Sequence, residues 1–164
     1  VESTDIIALL VAGGVSEGLL RGTDDSGAVT RYDGLRDIRG CETLANALAD
    51  LLRVEPVDAI LTGPSVEEAV LAASTAARLG INVVRSFVDE GLLFAPRLES
   101  GLRLIVLSDS FYKPAALRAL WSLATERGCR VSAAAALYEV EPAVLPDPAL
   151  SMAVLLRVNG AARA

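Results

Sequence analysis

An α/β fold built on a central, mostly parallel sheet with helices on both faces is what this sequence predicts, and three observations predict it. Short apolar runs alternate with helical patterns through the middle of the chain, at 58–63, 66–79, 81–85, 103–107, 114–128 and 130–138. The composition is 52% hydrophobic but only 4% aromatic, so the core must be built from Ala, Leu and Val, which suits helices laid on a buried sheet. No repeat, low-complexity tract or linker divides the 164 residues, so one domain over 1–164 is expected.

The elements follow in order. Thr4 or Asp5 should cap a short helix at Ile6 to Val11 that Gly13-Gly14 stops. Residues 18–22 and 28–32 flank Thr23-Asp24-Asp25-Ser26-Gly27, whose Asp, Ser and Gly content reads as the turn of an N-terminal hairpin. From Cys41 to Arg53, Leu44, Ala45, Leu48, Leu51 and Leu52 keep helical spacing, and Pro56 closes the segment. A strand at 58–63 leads through Pro64 into a helix over 66–79 that Gly80 ends, and 81–85 is the next strand. Residues 88–97 read as a loop or hairpin, and Gly101 introduces the strand 103–107. A loop from Ser108 to Lys113 precedes the helix that Pro114 opens and Gly128 ends, on which Trp121 shares a core face with Leu117, Leu120 and Ala124. A buried strand at 130–138, a connection carrying Pro142, Pro146 and Pro148, and a last strand at 152–158 complete the chain.

Several chemistries are excluded. With no histidine, imidazole catalysis and Ser-His triads are ruled out, so an acid or base must be a carboxylate, a tyrosine or Lys113. Cys41 and Cys129 are too far apart in sequence for a CxxC pair or a thiolate cluster, which fits a reducing cytoplasm. A net charge of -6 argues against nucleic acid or an anionic membrane as partner, and no apolar run is long enough to span a bilayer, so a soluble protein is expected.

The strand-loop-helix at 104–128 draws the eye because its geometry aims backbone amides and loop side chains at one point, where α/β folds hold phosphate. Lys113, the only lysine in the chain, stands there with Ser108, Asp109 and Ser110. Lys113 reads either as a point charge for a ligand or as a solvated loop lysine. Asp109 reads either as a ligand-binding carboxylate or as an acid placed before a positive helix end. Arg85, at the end of its strand, is either a bidentate anion clamp or a surface ion-pair residue.

In order and spacing the chain resembles the type I phosphoribosyltransferases, and among them the orotate phosphoribosyltransferases. Arg31-Tyr32-Asp33-Gly34-Leu35-Arg36 looks like that family's Tyr-rich strand and Asp-Leu-Arg turn, Gly63-Pro64 like its pyrophosphate loop, Arg85 like part of its basic patch, and 105–127 like its phosphoribosyl-binding segment. The resemblance implies a sheet with an N-terminal hairpin and a small hood at the chain ends. The apolar richness and the arm around Leu19 to Tyr32 suggest a homodimer or a heterodimer with a related subunit, and the resemblance implies a nucleotide or sugar phosphate as ligand, with magnesium if the protein is active.

The motifs themselves depart from the family. Ser108-Asp109 keeps one carboxylate of the family's acidic pair, and Tyr112-Lys113-Pro114 replaces the small residues that wrap the 5′-phosphate. Pro114 removes an amide donor from that nest. The family's basic loop is Arg85-Ser86-Phe87 here, without its lysines. The apolar Leu92-Leu93-Phe94 suits an intersubunit or packing role better than a mobile catalytic flap.

Gly63-Pro64-Ser65-Val66-Glu67-Glu68 brings two carboxylates to the loop that should face a diphosphate. Ser65 and Glu68 have the spacing of a capping box, in which Ser65 accepts the Glu68 amide and Glu68 returns to the Ser65 amide. A carboxylate 4 Å from a diphosphate opposes binding by about 1 kcal/mol per unit charge in water-like surroundings, and by several times more in a half-buried site.

Three functions are compatible with these departures. The first is a protein that has lost phosphoribosyl pyrophosphate catalysis and serves a structural, regulatory or partner-subunit role. The second is a divergent active transferase in which Lys113, Arg85, Asp109 and residues of a partner subunit bind the donor, with Ser65, Ser108 and Ser110 as further candidate ligand-binding residues. The third is a nucleotide- or phosphate-sensing module working at the sheet's carboxyl edge.

Overall fold

The computed structural model describes residues 2–23, 31–53, 56–111, 114–140, 145–150 and 152–158. Its elements run α1 (Ser3–Ala12), α2 (Glu17–Arg21), α3 (Ile38–Leu52), β1 (Ala59–Thr62), α4 (Val66–Leu79), β2 (Asn82–Arg85), β3 (Phe87–Asp89), β4 (Leu92–Phe94), β5 (Arg103–Ser110), α5 (Pro114–Glu126), β6 (Arg130–Glu139) and β7 (Met152–Arg157).

Five strands form one parallel sheet in the order β2-β1-β5-β6-β7, while β3 and β4 pair antiparallel as a separate hairpin. Strands β1 and β5 are buried on both faces and mostly apolar, as packing between two layers demands. Ile60, Ile105 and Leu107 face a cluster with α1, α3 and α4, including Leu10, Leu44, Leu48 and Leu71. Leu61, Leu104 and Val106 face the other way, toward Leu117, Leu120 and Ala124 of α5 and Ala95 and Leu98 after the hairpin. Trp121 packs on the edge of this second cluster, as its spacing implies. A register shift between Leu104 and Ile105 passes over Ser132 on β6, so alternation is kept on both sides of a bulge.

Four local expectations are corrected. Residues 17–21 are helical, not the first arm of a hairpin: Ser16 caps them by accepting the Leu19 amide, and Gly22 closes them at φ 69. Most of the expected turn and second arm, 24–30, lies outside the described residues. The α1 cap is Glu2, with no side-chain cap bond from Thr4 or Asp5, which sit inside the helix. Helix α3 begins before Cys41, at Ile38, because Asp37 accepts the Gly40 amide at 3.0 Å and supplies the cap. Finally, β5 runs on through Ser108, Asp109 and Ser110, because pairing with β6 continues to Ser110 opposite Tyr138.

No helix among the described residues is long and apolar enough to cross a membrane. Cys41 and Cys129 are both free thiols.

Candidate functional site

From β1 the chain crosses to β2 on one side, while β5 lies on the other, so the order of the sheet reverses between β1 and β5. Crevices at such reversals, outside the carboxyl ends of the strands, are where open parallel sheets take ligands. Here the crevice is bounded by Gly63-Pro64-Ser65 after β1 and by Ser108-Asp109-Ser110 at the end of β5.

The crevice holds a side chain of the protein itself. Ser65 caps α4 and accepts the Glu68 amide at 3.1 Å, which fixes the first helical turn and turns Glu68 inward. The Ser65 hydroxyl donates to Glu68 Oε2 at 3.1 Å, and the Ser108 hydroxyl donates to Glu68 Oε1 at 2.5 Å. The Arg31 guanidinium stands 3.8 Å from the same Oε1. Glu68 is 3% exposed, and its carboxylate lies so close over Gly63 that a β-carbon there would collide with it. The capping box expected from the sequence is thus half formed: the Glu68 carboxylate reaches the Ser65 and Ser108 hydroxyls, where the donors face the crevice.

Asp109 is 1% exposed. Its Oδ2 accepts the Tyr32 amide at 3.1 Å, and its Oδ1 lies 3.4 Å from the Ser108 hydroxyl and 3.5 Å from that of Ser110. Burial, and then the nearby Glu68 carboxylate, push the Asp109 pKa above the ordinary carboxylate range, against the opposing pull of Arg31 and the Tyr32 and Ser110 amides.

Arg85 braces the loop after β1. Its Nη2 donates to the Pro64 carbonyl, and its guanidinium sits 5.1 Å over the Phe87 ring. Ser65, Ser108, Asp109, Ser110 and Arg85 therefore gather at one end of the sheet, while Lys113 lies outside the described residues. Sequence reasoning missed Arg31, Tyr32 and the inward turn of Glu68. The spacing of Ser65 and Glu68 signalled the first helical turn, but nothing local to Arg31 and Tyr32 announces their meeting with Glu68 and with Asp109, 77 positions away from Tyr32.

Among the described residues no three Cys, Asp or Glu side chains converge to hold a metal. A separate groove between α1, α3 and β7 is lined by Ile6, Thr43, Asn46, Asp50, Leu51 and Val154. Among the described residues its one charge is Asp50, which suits it poorly to an anion.

No family model and no curated protein matches the sequence. Solved structures do match in shape. An adenine phosphoribosyltransferase from Rhodothermus marinus aligns over 95% of this chain and 99% of its own, at TM-score 0.69 and 14% identity. An orotate phosphoribosyltransferase from Mycobacterium tuberculosis, in complex with 5-phospho-α-D-ribosyl 1-diphosphate, aligns over 94% and 96%, at 0.65 and 17%. The UMP synthase of Leishmania donovani aligns over 96% of this chain but 37% of its own, at 0.73 and 14%. The chain has the type I phosphoribosyltransferase fold, and at these identities the likeness extends to the fold alone.

Proposed function

We propose that this chain keeps the phosphoribosyltransferase fold but has lost phosphoribosyl pyrophosphate chemistry, and that it serves a structural, regulatory or partner-subunit role. One observation carries this reading: the Glu68 carboxylate is seated in the crevice at the sheet's reversal, on the hydroxyls of Ser65 and Ser108. A diphosphate entering there would have to displace a buried anion from its donors or lie beside it. Two unit charges 4 Å apart repel by about 1 kcal/mol in water and about 4 kcal/mol at the effective dielectric near a protein surface. A diphosphate carries several such charges.

Arg31 apart, the other candidate groups among the described residues offer little to offset that repulsion. Arg85 is engaged with Pro64 and Phe87, and Asp109 with the Tyr32 amide. Val88 and Leu92 on the β3–β4 hairpin are exposed, which supports contact with a second copy or a related subunit better than it supports a catalytic flap.

Titration calorimetry with phosphoribosyl pyrophosphate and magnesium, paired with an assay for nucleotide formation from orotate and from adenine, tests the reading. No binding heat and no product are expected. Micromolar affinity together with turnover would end it.

One feature favours a second reading, a divergent transferase: the Arg31 side chain is 54% exposed at the crevice and among the described residues is held by a 3.8 Å ion pair alone, so it can turn toward an incoming phosphate. Turnover of a base that is abolished in Lys113→Ala and Arg31→Ala would support this alternative. For a sensing module, thermal shifts with nucleotides or sugar phosphates are diagnostic, because a ligand at 100 times its dissociation constant adds about 2.7 kcal/mol.

A further inference from the structure

Two carboxylates reach the Ser108 hydroxyl from different elements, Glu68 from α4 at 2.5 Å and Asp109 from β5 at 3.4 Å. A hydroxyl has one hydrogen and can donate to only one of them. Both side chains are buried, and among the described residues Arg31 is the single cation in ion-pair range of either, standing 3.8 Å from Glu68 and largely in solvent. The other groups shown against the pair are neutral: the amides of Tyr32 and Ser110 and the Ser65 hydroxyl.

We propose that Asp109 holds a proton against the Ser108 hydroxyl, beside the Glu68 carboxylate, and that this proton keeps Glu68 seated in the crevice. Two like charges cannot both be held in a dry site with one exposed cation, so Asp109 retains a proton that a surface carboxyl would have released. The upward push on Asp109 from burial and from Glu68 agrees with that arrangement. Loss of that proton puts a second negative charge beside Glu68. Glu68 is the partner with a route out, since its side chain is tethered by two hydroxyls and an exposed arginine, whereas Asp109 belongs to a central strand and is held by the Tyr32 amide. Raising the pH therefore unseats Glu68 from Gly63 and opens the crevice. The inference concerns how Glu68 is held and stands whether or not donor chemistry has been lost.

A carbon-13 carboxyl titration of the full chain by NMR, from about pH 4 to about pH 9, tests it in the wild type. The Asp109 carboxyl is expected to titrate above the ordinary carboxylate range, with the Glu68 side chain and the Gly63 amide responding at the same midpoint. In Glu68→Gln, Asp109 should lose its proton at lower pH, by about one unit or more, a tenfold change in proton affinity. In Asp109→Asn the response at Gly63 should vanish. Asp109 titrating fully below about pH 5 without any response at Glu68 or Gly63, or an Asp109 midpoint unmoved by Glu68→Gln, would overturn the proposal.

Discussion

The carboxylate of Glu68 rests on the bare α-carbon of Gly63, where a β-carbon at position 63 would overlap it. Absence of a side chain at the end of β1 and an inward carboxylate in the first turn of α4 are one feature seen from two elements. The glycine that lets a diphosphate approach the backbone in a phosphate loop here lets the protein's own anion approach instead.

That contact predicts a coupled pair. Gly63→Ala should destabilise by about 1–3 kcal/mol through overpacking. Glu68→Ala should cost about 1–3 kcal/mol because the Ser65 and Ser108 hydroxyls lose their acceptor. In the double variant the clash is gone, so the loss should fall short of the sum by about 0.5–3 kcal/mol. Urea denaturation of the four proteins reads this directly, and additive losses would show that the two residues do not touch.

Tyr32 makes a second prediction. Its ring is fully buried against Gly13, yet its hydroxyl has no hydrogen bond among the described residues. The neighbouring Cys41 thiol is a weak partner at best. Burial leads the causes that hold the phenol above its ordinary pKa and also raise the Cys41 thiol. Tyr32→Phe should change stability by less than about 1 kcal/mol or improve it, because an unsatisfied hydroxyl is removed. Tyr32→Ala should cost about 3–5 kcal/mol for the cavity left behind. A loss above about 2 kcal/mol in the phenylalanine variant would reveal a hydrogen bond at that hydroxyl.

The β3–β4 hairpin carries a third. Leu92 is 73% exposed and Val88 is also open to solvent, so Val88→Lys and Leu92→Lys should leave unfolding midpoints almost unchanged. If the hairpin meets another subunit, the same variants should shift sedimentation toward the smaller species. Unchanged association in both would move the partner surface elsewhere.

Much of this fold was legible because period and punctuation agree. Helix α4 falls where Ser65 and Gly80 bracket an alanine-rich helical pattern, and both caps are seen. Strands β1 and β6 follow their apolar runs closely, since burial on both faces leaves little polar interruption to misread, and the edge strand β2, with only Val84 buried, also falls on its run. The segment at 17–21 was misread because Leu19-Leu20 between glycines fits a strand as well as one helical turn, and the Ser16 cap decided it. Ser108 to Ser110 read as loop because they are polar, but their pairing is set by β6 alongside, a partner distant in sequence. The site was half legible for the same reason. Ser65 and Glu68 are neighbours on one helix, whereas Arg31, Tyr32 and Asp109 meet only once the sheet is assembled.

Strands β1 and β5 are also tied at their starts, and this gives a prediction in acid. Arg103 donates from its backbone amide and Nε to Asp58 Oδ2, at 2.8 and 3.0 Å, and from Nη2 to Oδ1 at 2.8 Å. These bonds hold the Asp58 pKa down to about 2 from its ordinary 3.8. A carboxyl whose pKa falls on folding stabilises the folded state once the pH is above its unfolded value, and that contribution is lost as the pH drops toward the folded value. Between about pH 4 and about pH 2 the wild type should therefore lose thermal stability that Asp58→Asn does not lose, and the two curves should converge at the acid end. Asp109 acts with the opposite sign, because its raised pKa favours the folded state at low pH and the benefit disappears as the pH rises through the folded value. Melting temperatures of wild type, Asp58→Asn and Asp109→Asn across both windows separate the two contributions. Parallel wild-type and Asp58→Asn curves below about pH 4 would show that the Arg103 pairing adds nothing to folding.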